Sequence, residues 1–139
     1  MADFREDKVV KEILSDSGVT AIIASRVFPL MMQPKENFPC VVYRLANGVP
    51  IASADGESQE AEYSVEIICL YRQVGNNVHE VSRSLFNAVK TAFGRYTGVI
   101  DSSISVDATY LEGERDEIYD SDLRAFGRVL TYKLMLRKV

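Results

Sequence analysis

The stretch AEYSVEIICLYR, residues 61–72, has the pattern of a strand whose two halves differ. Tyr63, Val65, Ile67, Cys69 and Tyr71 fall at every second position, so they share one face. From Ile67 onward, Ile68 and Leu70 make the opposite face apolar as well. A strand that is dry on both sides at one end belongs inside a sheet, covered on each face. The rest of the fold is therefore expected to assemble around residues 61–72.

Upstream lies RVFPLMMQPKENFPCVVYRL, residues 26–45, which holds three of the four prolines. Pro29 has no amide hydrogen, so residues 26–30 predict an edge strand or a strand ending there. Pro34, Lys35, Glu36 and Asn37 predict a turn. Phe38 is biased to an extended conformation by Pro39, which suits the start of a strand through Cys40, Val41, Val42, Tyr43 and Leu45. Residues 47–60 are polar and contain Asn47-Gly48 and Asp55-Gly56, the composition of a mobile loop. At the N-terminal end, residues 3–16 predict a helix. Asp3 and Glu6 resemble a capping box, Val9, Val10, Ile13 and Leu14 recur at helical spacing, and Gly18 is the expected stop. A short further turn through Ala21, Ile22 and Ile23 follows.

Downstream, residues 78–93 predict a second main helix. Val78, Val81, Leu85, Ala88, Val89 and Ala92 share a face flanked by Phe86 and Phe93, an arc wide enough to lie on a sheet. Gly94 is the expected C-cap. Ile104, Val106, Ala108 and Tyr110 alternate with polar residues as a half-exposed strand. Phe126, Leu130, Tyr132, Leu134 and Leu136 share one face of a final strand, residues 126–137, and residues 112–125 fall between as a mobile hairpin loop. The expected fold is α+β in a single domain, 1–139. It has a mostly antiparallel sheet of about five strands with two main helices on one face, in the order α-β-β-β-α-β-β.

With 139 residues, 47% apolar and 26% charged, the chain has the composition of a globular domain. A chain this long buries roughly two-thirds of its unfolded surface, so a core needs no disulfide or metal. No apolar run approaches the ~18 residues of a membrane-crossing helix. The charged N-terminus lacks the apolar region of a signal peptide. The net charge is −4 and the basic residues are scattered, which argues against duplex DNA binding as the main function. Cys40 and Cys69 each sit in an apolar strand outside any CxxC pair. They are expected as reduced, buried side chains, with a disulfide open only if their strands are neighbours.

Signatures for phosphate loops, dinucleotide folds, nucleophile elbows, zinc proteases and EF-hands are missing. The lone His79, bordering the apolar arc of its helix, is expected in a structural or solvent-facing role. One segment concentrates charge: Glu112, Glu114, Asp116, Glu117, Asp120 and Asp122 stand against Arg115. Such acids could form a solvated loop, face a partner or a channel, or converge on Mg²⁺ or on acid–base chemistry. Composition leaves these open, together with a small-molecule-binding α+β domain.

Arg26-Val27-Phe28-Pro29, the Gln33-Pro34 loop, Phe38-Pro39-Cys40-Val41-Val42-Tyr43 and the strand Tyr63-Ser64-Val65-Glu66-Ile67-Ile68-Cys69-Leu70-Tyr71 occur in an order that resembles the phage tail completion family. These are the tail-terminator, or tail-to-head joining, proteins of long-tailed phages and prophages. The helix with Val78, Val81, Leu85 and Val89 fits the same order, and the resemblance runs roughly over residues 9–137. Cys40 stands where an aromatic is common. The resemblance implies a non-enzymatic virion protein of the tail or neck, without cofactor, catalytic residue or metal, made in the host cytoplasm. It implies a homo-oligomeric ring, often hexameric, that caps the tail-tube protein and docks to the head–neck connector while DNA passes through. Phe28, Leu30, Met31 and Met32 are then expected at a subunit interface. Glu112, Glu114, Asp116, Glu117, Asp120 and Asp122 are expected to face the lumen or a partner. Another neck or tail component is the nearest alternative.

Overall fold

A computed structural model describes residues 6–24, 26–29, 39–50, 60–72, 78–94, 96–100, 102–120 and 125–139. The elements are α1 (Glu6–Leu14), α2 (Ser17–Ile23), β1 (Val27–Pro29), β2 (Cys40–Pro50), β3 (Glu60–Arg72), α3 (Val78–Gly94), β4 (Gly98–Ile100), β5 (Ile104–Asp120) and β6 (Ala125–Lys138). The strands form one six-stranded sheet in the order β1-β2-β3-β6-β5-β4. β1 and β2 pair parallel and every other neighbouring pair is antiparallel. The α+β class, the antiparallel character and the central place of residues 61–72 match the sequence expectation, and β4 and α2 extend it.

The alternation read in β3 partitions the core. Val65, Ile67 and Cys69 join Val41 and Tyr43 of β2 and Leu130, Tyr132, Leu134 and Leu136 of β6 in one buried cluster. On the same side pack Val9, Val10, Ile13 and Leu14 of α1, Val19 and Ile23 of α2, and Leu85, Val89 and Phe93 of α3. All three helices therefore cover one face. On the other face, Cys40, Val42, Ile68, Leu70 and Val129 form a smaller buried cluster with Phe28 packed against it. Phe93 anchors α3 by stacking on Tyr132, with ring centroids 4.4 Å apart.

Four expectations need correction. The first helix ends at Leu14, and Gly18 lies inside a second helix. The Asp16 carboxylate accepts a hydrogen bond from the Gly18 amide at 3.0 Å, so an N-cap restarts the helix where glycine was expected to stop it. Residues 112–120 form the second half of β5 and not a loop; only 121–124 lie outside the described residues. Acidic side chains do not end a strand when neighbouring cations offset them, and Ile118 and Tyr119 favour extended structure. Likewise 47–50 belong to β2 and Glu60 to β3, leaving 51–59 outside the described residues. Finally, the alternation Ile104, Val106, Ala108, Tyr110 holds only to Val106. The register shifts between Val106 and Ala108, and beyond this bulge Thr109 pairs with Leu134 and faces the helices.

The expected turn at Pro34–Asn37 and the cap at Asp3 fall outside the described residues. β1 is a sheet edge, as Pro29 required.

Candidate assembly surface

Cys40 and Cys69 sit on adjacent strands, opposite Leu70 and Val41 respectively, but on opposite faces of the sheet. No disulfide joins them, and both are free and buried. Burial pushes both thiols up to about 12, so neither is a nucleophile near neutral pH. Among the described residues no three histidine, cysteine or carboxylate side chains converge on a metal position. His79 lies on α3, with its side chain outside the described set.

The acidic segment is instead wired into the sheet. Glu114 pairs with Leu130 across β5 and β6 and so faces the helices. There its carboxylate meets Lys90 of α3 at 2.5 Å and Arg128 of β6 at 2.6 Å. The Arg128 guanidinium also lies 5.1 Å from the Phe86 ring centroid, a cation–π contact. Hydrogen bonds from Lys90 and then Arg128 hold the Glu114 carboxyl below the usual range, and the bond to Glu114 is the main cause raising Arg128. Asp116 reaches Arg128 at 3.8 Å while staying largely exposed. On the other face Glu112 approaches Lys133 at 4.0 Å, and Arg115 reaches Glu66 at 3.6 Å. A second group, near the β4 end, ties Asp107 to Ser105 at 2.7 Å and to Arg137 at 3.1 Å. The Ser105 hydrogen bond and then Arg137 lower the Asp107 carboxyl. The backbone of Glu117 and Asp120 continues β5, and Asp122 lies outside the described residues.

Two long sheet edges remain. β4 pairs with β5 only at Ile104, Ser105 and Val106. Among the described residues no strand lies on that side of β5 beyond Val106. At the other edge β1 pairs with β2 only at Val41, Val42 and Tyr43, leaving 44–50 uncovered by any described strand. Leu45, Tyr110 and Leu111 are exposed on these edges. Phe28 packs in its own chain against the smaller cluster, and Leu30, Met31 and Met32 lie outside the described residues.

A virion protein shares this architecture. A chain in the solved structure of the virion of a native gene transfer agent (GTA) particle is similar to this one, with TM-score 0.66 and 12% identity. The match covers 92% of this chain and 91% of that one. At that identity the likeness is one of fold. Neither a protein-family model nor a curated protein matches the sequence.

Sequence reasoning missed Arg44, Leu45, Tyr110 and Leu111 as surface residues, because a strand pattern does not reveal which strands lie at an edge. Gly113 was the available signal. An isolated glycine in a strand marks a bulge, and the β5 register shifts between Leu111 and Gly113.

Proposed function

We propose that this chain is a non-enzymatic structural protein of a phage or prophage virion, a tail terminator or head–tail joining subunit. It caps the tail tube and meets the head–neck connector as a homo-oligomeric ring. The observation that carries the reading is the fold shared along almost the whole length with a chain of a gene transfer agent virion. The Pro-punctuated motifs of residues 26–43 resemble the tail completion family and support it independently. Long sheet edges also suit a subunit that works through contact with copies of itself, since an uncovered edge otherwise invites uncontrolled pairing.

In this reading the boundary between subunits includes β1 and the adjoining Leu30, Met31 and Met32, the two methionines offering flexible thioethers suited to an irregular interface. Phe28 supports that boundary from within its own sheet. The acids of β5 face DNA in the lumen or a neighbouring virion protein. The test is light scattering and electron microscopy of the purified chain, alone at high concentration and with the tail-tube protein of the same virion. Rings are expected, at the latest once tube protein is added. A chain that stays monomeric in both conditions and turns over a substrate would overturn the assignment.

A further inference from the structure

The side chains of Leu45, Val65, Tyr132 and Leu111 form one row across the four long strands. Leu45 pairs with Val65, Val65 with Tyr132, and Tyr132 with Leu111. The two middle members are buried, with relative exposures of 0% and 2%, whereas the ends are open at 38% for Leu45 and 43% for Leu111. The row is thus an apolar stripe on the helix-covered face, cut off at both edges. β2 and β5 are separated by three antiparallel pairings, so they run in opposite directions. A second copy set alongside in the same orientation places its β2 antiparallel to β5, the pairing on which the rest of the sheet is built.

We propose that copies of this chain join edge to edge, β2 of one copy adding antiparallel to β5 of the next. In this contact Leu45 meets Leu111, and Arg44 lies beside Glu112. The inference rests on the ring reading and names its contact. Three observations choose a second copy over a foreign strand. The row continues across the junction without slip, burying both exposed leucines. The faces agree: Leu45 and Leu111 both point to the helix side, while Arg44, opposite Glu66, is on the other side with Glu112, whose nearest cation, Lys133, is 4.0 Å away. The charges also agree, a basic residue against an acidic one, where like charges would disfavour pairing. Bulges at 45/47 in β2 and 111/113 in β5 flank the leucines and disfavour slipped registers. The contact uses a different patch on each copy, so it is head-to-tail and closes into a ring when the rotation allows.

The test is covalent capture with the full chain carrying Leu45→Cys and Leu111→Cys, under mild oxidation or with a short bismaleimide. The native thiols are buried and stay out of the reaction. Within one copy the two positions are three strand spacings apart, roughly 14 Å, beyond the reach of a disulfide. A ladder of covalent multimers is expected from the double variant, and dimers from an equal mixture of the single variants. Arg44→Glu or Glu112→Arg alone should lower capture about fivefold, as expected of an exposed charge pair, and the two together should restore it. Dimerisation of Leu111→Cys alone with the yield of the mixture would show β5 pairing with itself and overturn the contact. Rings seen by electron microscopy without a ladder would sink this contact and leave the ring reading standing. Absence of both ladder and rings, with tube protein present, would remove both.

Discussion

Glu114 shows how far a residue's sequence neighbourhood can mislead. Among six acids it looks like one more solvated charge, yet it is the anion between Lys90 and Arg128 that ties α3 to the sheet. The pairing was not legible because it depends on the bulge between Leu111 and Gly113, which sets Glu114 on the helix side. Cys69, by contrast, was legible, since simple alternation carries it into the main core. Glu114→Gln should destabilise the fold by about 1 kcal/mol, or roughly 3 °C in melting temperature, because two cations are left facing each other. The Glu114 carboxyl is lowered in the fold. Its stabilisation is therefore present above the ordinary glutamate range and is lost as pH falls through the folded value. Melting temperature against pH should accordingly have a flatter acid limb in the variant. An unchanged acid limb would mean that the ion pairs contribute nothing to stability.

At the scale of elements, interior positions were legible and boundaries were not. Buried faces of β3, β6 and α3 follow from periodicity, because burial imposes a strict repeat of two or of 3.6. The start of α2, the turn before β5 and the extent of β5 depend on single backbone conformations and on cross-strand ion pairs, which leave weak traces in composition. The turn between β4 and β5 is one such case. The Ser103 amide donates to the Ile100 carbonyl at 3.1 Å, and Ser102, in the third position, holds a φ of 58°. That left-handed conformation is the one glycine adopts without steric cost, and it is the position where tight turns of this kind favour glycine. Ser102→Gly should stabilise the protein by about 0.5–1 kcal/mol, the steric gain less the greater freedom of glycine in the unfolded chain. Chemical denaturation with an unchanged slope would measure it. Destabilisation would show that the Ser102 side chain contributes more than its backbone costs.

For the whole molecule, the question is what an acidic strand would do in the proposed ring, through which DNA would pass. The net charge is −4, and β5 concentrates acids of which Glu114 is already neutralised by two cations. Asp116 remains largely exposed, with Glu117 and Asp120 following it along the strand. If β5 borders the lumen of such a ring, the acids along it would line that wall with negative charge, Asp116 from the helix side of the sheet. Such a wall repels phosphate and keeps DNA from lodging, the inverse of the basic footprint that retains it. Replacing Asp116, Glu117 and Asp120 by lysine should make the chain retain duplex DNA at low salt more strongly than the unchanged chain does. Its affinity should fall steeply as salt rises, because each phosphate contact releases counterions. Retention alone would not locate the acids, since lysines on an outer wall also bind DNA. Location is read from virions carrying the triple variant. A lumen-facing strand makes DNA release slower, and added salt relieves the delay. Release at the normal rate from intact variant virions would place the acids on the outer wall, leaving contact with a neighbouring virion protein as the use of that charge.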